Sequence, residues 1–315
     1  MSKRLSLKET AEFFKNRDRF LIYSHEHPDG DTLCSGAALC SALRRMGKQA
    51  FCYQNPGIGE RYRKFIEPYL GEHQEDGVCF VAVDVADQKM LPWHMGRNID
   101  IVIDHHRSNT GYGERLLLND ENAACGELVY QLLLELGGSI TETEASLLYV
   151  AVSTDTGCFR YTNTNAQCLI TAAELIKAGA DHRGINVKLF RSDSRARIAV
   201  LARMYSDIVY HLNGRVTSSS LTAECIRSTG ATEDDLDDIA HIPGSVVGSE
   251  VSIFIREITD GVNKVSLRSK PGFDVSVLAK LYGGGGHSGA AGFKSNSDAE
   301  EIVAALVSEI EKRWK

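Results

Sequence analysis

The period of the apolar positions changes several times along the chain, and each change marks an element. Residues 7–16 repeat at helical spacing. Phe20-Leu21-Ile22-Tyr23 is an unbroken apolar run and reads as a buried strand. A helical pattern then runs from about 32 to 46, with Gly47 as its stop. Ala50-Phe51-Cys52-Tyr53 predicts a short strand, and a helix is expected around 61–69. The segments 78–83 and 99–103 are again apolar throughout, as central parallel strands buried on both faces are. Helical patterns follow at about 125–136, 142–153 and 165–178. Strands alternating with helices predict an α/β fold with a doubly wound parallel sheet over residues 1–190.

The pattern turns helical and charged over 192–211, which reads as a helical connector spanning 191–213. A second, smaller α/β domain is expected over 214–315. Its strands are read at Val216–Leu221, 251–258 and 263–268, and its helices near 233–239 and 298–312. A glycine run at 283–286 is the sole low-complexity stretch.

The 315 residues suffice for two domains, and no apolar run reaches membrane-spanning length. The first residues lack a signal-peptide core, so a cytoplasmic protein is expected. Eight scattered cysteines form no C-x-x-C pair, which fits reduced thiols better than a disulfide frame or zinc knuckle. Cys40, Cys79 and Cys168 fall in apolar stretches and read as core. The net charge of −7, without an obvious basic face, points to short phosphorylated ligands rather than long duplexes.

The unusual chemistry gathers at the strand ends. Ser24-His25-Glu26-His27-Pro28-Asp29-Gly30-Asp31 is a tight turn between a strand and a helix. Open α/β sheets place ligands at such carboxyl ends. One imidazole with alternating carboxylates suits a hard divalent cation. Read blandly, the turn is polar and Asp31 caps the helix. Asp84 ends one apolar strand, Asp104-His105-His106 ends the next, and Asp155 follows a helix that can return to the same edge. Any one of these is a plausible cap; crowded together, they repel and desolvate one another unless cations neutralise them. Two cations sharing one carboxylate resolve that conflict, as in hydrolases that clamp a water and a phosphate oxygen.

The order H-x-x-x-D-x-D, lone Asp84, Asp104-His105-His106 and Thr154-Asp155-Thr156-Gly157 resembles the DHH phosphoesterase family, which includes RecJ nucleases, family II pyrophosphatases and exopolyphosphatases. Gly283-Gly284-Gly285-Gly286-His287-Ser288-Gly289-Ala290-Ala291-Gly292-Phe293 is similar to the glycine-rich motif of the DHH-associated domain. Asp155-Thr156-Gly157-Cys158-Phe159-Arg160-Tyr161 resembles a segment of the stand-alone NrnA-like group of oligoribonucleases and pAp phosphatases. The resemblance implies two divalent metal ions, Mn2+ first, with Mg2+ or Co2+ also accepted. His25, Asp29 and Asp84 would hold one. Asp31, Asp84, His105 and Asp155 would hold the other, with Asp84 bridging. His106 would face the substrate phosphate, and Asp104 would orient His105. His27 stands where relatives often carry Asn and is left outside the set.

The second domain would supply recognition. Gly284, Gly285 and Gly286 let backbone amides approach an anion, His287 adds a donor, and Arg268 with Ser269 can fork a terminal phosphate. Arg160 is a further candidate for phosphate contact. No base stands beside Ser24, Ser153 or Cys158, so none is assigned as a nucleophile. The expected activity is hydrolysis of short oligoribonucleotides and of the 3′-phosphate of pAp, with no membrane partner and a homodimer implied by the family. The alternatives are a phosphodiesterase for linear or cyclic dinucleotides (pGpG, pApA, cyclic-di-AMP) and an inactive nucleotide-binding regulator.

Overall fold

The computed structural model describes residues 2–72, 77–92, 98–259 and 261–314. The chain divides into two compact units, Met1–Ser192 and Asp193–Lys315. No helix among the described residues is long and apolar enough to cross a membrane.

The first unit is built on a parallel sheet. Its strands are β1 (Lys3–Arg4), β2 (Arg19–Tyr23), β3 (Gln49–Cys52), β4 (Cys79–Val83), β5 (Ile101–Asp104) and β6 (Arg115–Leu118). Their order is β1-β6-β5-β4-β2-β3, and every pairing is parallel. The helices are α1 (Leu7–Lys15), α2 (Gly30–Arg45), α3 (Glu60–Ile66), α4 (Cys125–Gly137), α5 (Glu142–Asp155), α6 (Ala166–Lys177) and α7 (His182–Phe190). The unbroken apolar strands have the reason expected of them: both faces are covered. Phe20, Ile22, Val81, Val83, Ile101 and Ile103 point into one core, with Leu39, Leu43, Leu128 and Leu148. Leu21, Tyr23, Ala82 and Val102 point into the other. Cys40, Cys79 and Cys168 are buried, as read from sequence.

From β2 the chain passes to β3 on one side, then returns to β4 on the other. The carboxyl ends of β2 and β4 thus flank a topological switch point, where such sheets bind ligands.

The second unit is a mixed sheet of β7 (Val209–His211), β8 (Val216–Leu221), β9 (Val251–Thr259), β10 (Val262–Ser269), β11 (Gly285–His287) and β12 (Ala290–Ser295), ordered β11-β12-β10-β9-β8-β7. Its helices are α8 (Arg195–Ser206), α9 (Ala223–Thr229), α10 (Ser276–Leu281) and α11 (Ala299–Trp314). One face packs Ile253, Val265, Leu267 and Phe293 against Leu278, Leu306 and Ile310. On the other face Val200 and Met204 of α8 pack with Leu221 of β8 and Phe254 of β9. The segment read as a connector is therefore a core layer of this unit, because its apolar residues are buried on the sheet. The helix expected over 233–239 shrinks to one short turn, Glu233–Leu236, and Asp238 takes a left-handed φ of 53° just beyond it. The glycine run continues into an edge strand, β11, which the sequence reading treated as a loop.

Candidate metal and phosphate site

The turn after β2 begins with a cap. Asp29, not Asp31, caps α2: its Oδ1 accepts from the amides of Asp31 (3.0 Å) and Thr32 (3.1 Å). Its other oxygen faces His25 Nε2 at 3.7 Å. One carboxylate thus starts the helix and faces the imidazole from its own turn.

Asp31 does cap a helix, but a different one. It is 1 % exposed, and it accepts from the amides of Cys125 (2.7 Å) and Gly126 (2.9 Å) at the start of α4, and from Ser35 Oγ (2.9 Å). Ala124, which precedes that helix, offers no capping side chain, so a residue 94 positions earlier does the capping. An anion is favourable at that positive end. Close helix contacts make the arrangement possible. A Cβ on Gly30 would lie 2.5 Å from Thr154 Oγ1, so only glycine lets α2 approach α5 this closely.

Asp84 follows β4 with a φ of 60°, a left-handed conformation that Asp tolerates better than most residues. Thr32 Oγ1 donates to the Val83 carbonyl (2.7 Å) and ties this strand end to α2. Asp84 is 2 % exposed, and its Oδ1 is buried without a hydrogen-bond partner among the described residues. Asp155 is the last residue of α5. A carboxylate there opposes the helix dipole. The next turn is left-handed at Gly157, Cys158 and Phe159, with φ of 56°, 57° and 64°. For the two non-glycine residues this costs roughly 1–2 kcal/mol each.

His105 Nδ1 lies 3.1 Å from the Asn122 carbonyl, so that nitrogen carries the proton. Nε2 then faces Asp84 at 3.4 Å, Asp155 at 3.8 Å and Asp31 at 3.9 Å. Burial alone would lower the His105 pKa, but Asp84, Asp31 and Asp155 outweigh it and push it up to about 11. Asp155 is pushed up to about 7 by burial and Asp84, against the pull of His105. Asp31 is raised well above the carboxylate range by burial and by Asp84 and Asp155. The four groups are short of positive charge, and the imidazolium is the cation they have recruited.

Asp104 does not orient His105, as the sequence reading expected. Its Oδ1 accepts from His106 Nδ1 (2.7 Å) and from the His105 amide (2.8 Å), and Asn109 Nδ2 donates to Oδ2 (2.6 Å). Strand geometry explains the change: β5 ends at Asp104, and its carboxylate folds back over the turn that follows. Burial raises the Asp104 pKa, but His106 and Asn109 hold the carboxyl below its usual range.

Three sets of ligand atoms lie within 4.8 Å of one another: His25/Asp29/Asp84, Asp31/His105/Asp155 and Asp84/His105/His106. Their imidazole and carboxylate donors suit a divalent cation. The unpartnered Asp84 oxygen, the Nε2 lone pair of His105 and the raised carboxyls all point to missing positive charge, so the donor set fits a metal.

His27 is exposed, outside these sets. Arg160 is exposed, its Nε bonded to the Gly157 carbonyl (2.7 Å) in the turn after Asp155. Three asparagines escaped the sequence reading. Asn122 orients His105, Asn109 braces Asp104, and Asn55 Nδ2 holds the Ser24 hydroxyl (3.0 Å) and the His25 carbonyl (2.7 Å). Each lies in an ordinary polar loop, where Asn is commonplace.

In the second unit Ala290 of β12 pairs with Arg268 on one side and His287 on the other. Arg268 and His287 therefore share a sheet face. Ser269 Oγ donates to the Phe273 carbonyl (2.6 Å), which fixes the end of β10. Gly284 is glycine for space, since a Cβ would fall 2.2 Å from the Gly292 carbonyl. At Gly285 a Cβ would meet nothing within 4 Å, so the absent side chain leaves open surface.

Residues 19–152 match the DHH family N-terminal domain, and residues 213–313 match the DHHA1 domain. The chain is 34% identical over 274 residues to a Thermus thermophilus protein named bifunctional oligoribonuclease and PAP phosphatase NrnA, covering 86% of this chain and 82% of that one. A Bacillus subtilis protein of the same name is 25% identical over 92% of this chain and 94% of its own. Among solved structures, an exopolyphosphatase-related protein from Bacteroides fragilis superposes with a TM-score of 0.82 at 25% identity, covering 97% of this chain and 95% of the other.

Proposed function

This chain belongs to the DHH family of phosphoesterases, and from that premise we propose that it hydrolyses short oligoribonucleotides to mononucleotides and removes the 3′-phosphate of pAp. The observation that carries the reading is Asp84: one buried carboxylate is common to two of the three ligand sets, with an oxygen that no protein group satisfies. We assign His25, Asp29 and Asp84 to one divalent ion and Asp31, Asp84, His105 and Asp155 to a second, with manganese the first choice for a mixed imidazole and carboxylate set. When bound, such ions neutralise phosphate charge and make a water acidic enough to attack near neutral pH.

The chain's own residues do the rest. Asn122 keeps the proton on His105 Nδ1 and presents Nε2 to the ligand set. Ionised Asp104 holds His106 Nδ1–H, which fixes the ring with Nε2 as its remaining polar atom. Burial opposes protonation of His106, but Asp104 and Asp84 raise its pKa. Protonated His106 donates from Nε2 to a phosphate oxygen as charge builds there. Arg268, Ser269, His287 and the open backbone at Gly285 and Gly286 engage a terminal phosphate. Arg160 sits on the turn after Asp155 as a further phosphate donor.

The test is product-resolved hydrolysis in manganese of a 5′-phosphorylated RNA dinucleotide, a 5-mer, a 24-mer and pAp. Fast turnover of the two short RNAs and pAp, with the 24-mer at least about tenfold slower, is expected. Turnover of none of them overturns the reading, and cleavage of the dinucleotide alone replaces it with a dedicated dinucleotidase. In the same assay Arg268→Ala should raise KM by about 10- to 100-fold, the 1.5–3 kcal/mol of a charged hydrogen bond, with kcat little changed. An unaltered KM on every substrate removes Arg268 from the site.

A further inference from the structure

The chain carries a net charge of −7, yet one face of its second sheet collects cations. In the register of β9, β10 and β12, Lys264 lies directly opposite Arg256 on one side and Lys294 on the other. Three positive residues thus form one row across three strands. Like charges directly opposite each other destabilise a sheet. Arg256 is answered by Glu233 at 2.9 Å. Among the described residues, neither Lys264 nor Lys294 forms an ion pair or hydrogen bond, and both are exposed.

The neighbouring rows complete a trough. Moving along β10 toward its carboxyl end, the next row on this face is Ser266, Gly292 and Gly285, and the next is Arg268, Ala290 and His287. The middle row has almost no side chain. Lys264, Lys294, Ser266, Gly285, Gly292 and Arg268 line a concavity of about 460 Å³, and its lining includes no acidic residue. The apolar layer formed by α8 covers this face through Leu221 and Phe254, on β8 and β9. Burial and the neighbouring Arg256, Lys294 and Arg268 charges hold the Lys264 pKa below its ordinary value, as expected of a cation waiting for an anion.

We propose that Lys264 and Lys294 form a second phosphate subsite, which takes an internal phosphate of a single-stranded RNA whose terminal phosphate sits at Arg268. Lys264 and Arg268 are four residues apart on one strand, about 13 Å at the rise of a β-strand. A nucleotide repeat has six backbone bonds, twice the three of a peptide repeat, and so spans at most about 7 Å. The two subsites are therefore about two nucleotide steps apart. A dinucleotide or pAp cannot fill both; a 4-mer or 5-mer can. The narrow glycine floor lets the sugar-phosphate chain lie against the sheet between them. The subsite rests on the oligoribonuclease reading for its substrate, and it makes the preference for oligomers of a few residues a property of this sheet.

The test compares wild type with the Lys264→Ala/Lys294→Ala double variant. For the 5-mer KM should rise at least tenfold more than for pAp. The slope of log KM against log salt for the 5-mer should shrink by about 1.4, that is about 0.7 for each lost phosphate contact on a single strand. Unfolding temperatures of the two proteins, measured alongside, should agree, since the lysines are exposed. Equal KM changes for pAp and the 5-mer, or an unchanged salt slope, overturn the subsite. Direct binding of a 5-mer with a phosphorothioate backbone, read by fluorescence anisotropy in EDTA, separates the two hypotheses. Salt-sensitive binding weakened in the double variant upholds the subsite even if wild type hydrolyses nothing. Binding identical in the two proteins rejects it even if the hydrolysis panel succeeds.

Discussion

Asp84→Asn is expected to reduce kcat by more than about 10³-fold on every substrate while leaving the protein folded. The magnitude is set by analogy with removal of a single electrostatic contact from an active site, which alone costs about 10²–10³. Asp84 should cost more, because two of the three ligand sets depend on it. Asn is the informative replacement: it keeps the shape and tolerates the φ of 60°, whereas Ala would add backbone strain to the loss of charge. The same variant makes a second, opposite prediction. Without metal, Asp84 crowds Asp31 and Asp155 and raises both their pKa values. Removing its charge should therefore raise the unfolding temperature measured in EDTA while abolishing turnover. A merely structural Asp84 would lower stability and activity together. Retention of kcat within tenfold of wild type would falsify the shared-ligand assignment.

Much of the first unit was legible because its strands are covered on both faces. Runs such as Val81-Ala82-Val83 and Ile101-Val102-Ile103 admit few other readings. Acidic and imidazole groups at their ends then fall on one edge by parallel topology alone, and the structure does bring His25, Asp29, Asp31, Asp84, His105 and Asp155 together. Short edge strands such as β1 and β6 lack that signal. Hydrogen-bond direction was not legible either. Whether Asp104 turns toward His105 or His106 depends on a side-chain torsion at a strand end, and Asp31 reaches a helix start far along the chain. The basic face was hidden for a similar reason. Arg256, Lys264 and Lys294 are separated in sequence, and only the register of β9, β10 and β12 makes them neighbours. The glycine run hid a strand, since glycine is depleted from strands and β11 owes its place to pairing with β12.

Removal of divalent metal should lower the unfolding temperature by about 5–10 °C near pH 8, and by less near pH 6. A cation at about 100 times its dissociation constant stabilises the folded state by about 2.7 kcal/mol, and each kcal/mol shifts a unit of this size by about 2–4 °C. The pH dependence follows from the site's own protons. Asp155 is held at about 7 against an ordinary 3.8, so it binds its proton more tightly folded than unfolded. Its contribution is full below 3.8 and is lost as pH rises through 7. His105, raised from 6.5 to about 11, contributes fully below 6.5 and loses that contribution as pH rises toward 11. His25 and His106 are raised in the same sense, although burial opposes both. Asp104 and Asp29, held low, have already given their full contribution above about 4 and are flat in this window. The metal-free protein should therefore lose stability from about pH 6 to pH 8. Metal binds the deprotonated ligands, so its contribution grows over the same interval. Thermal denaturation in EDTA and in excess manganese at the two pH values measures both slopes. A gap that narrows toward pH 8, or none at all, would show that these carboxylates are neutralised by protons and the His105 cation alone, and the two-metal reading of the site would fall with it.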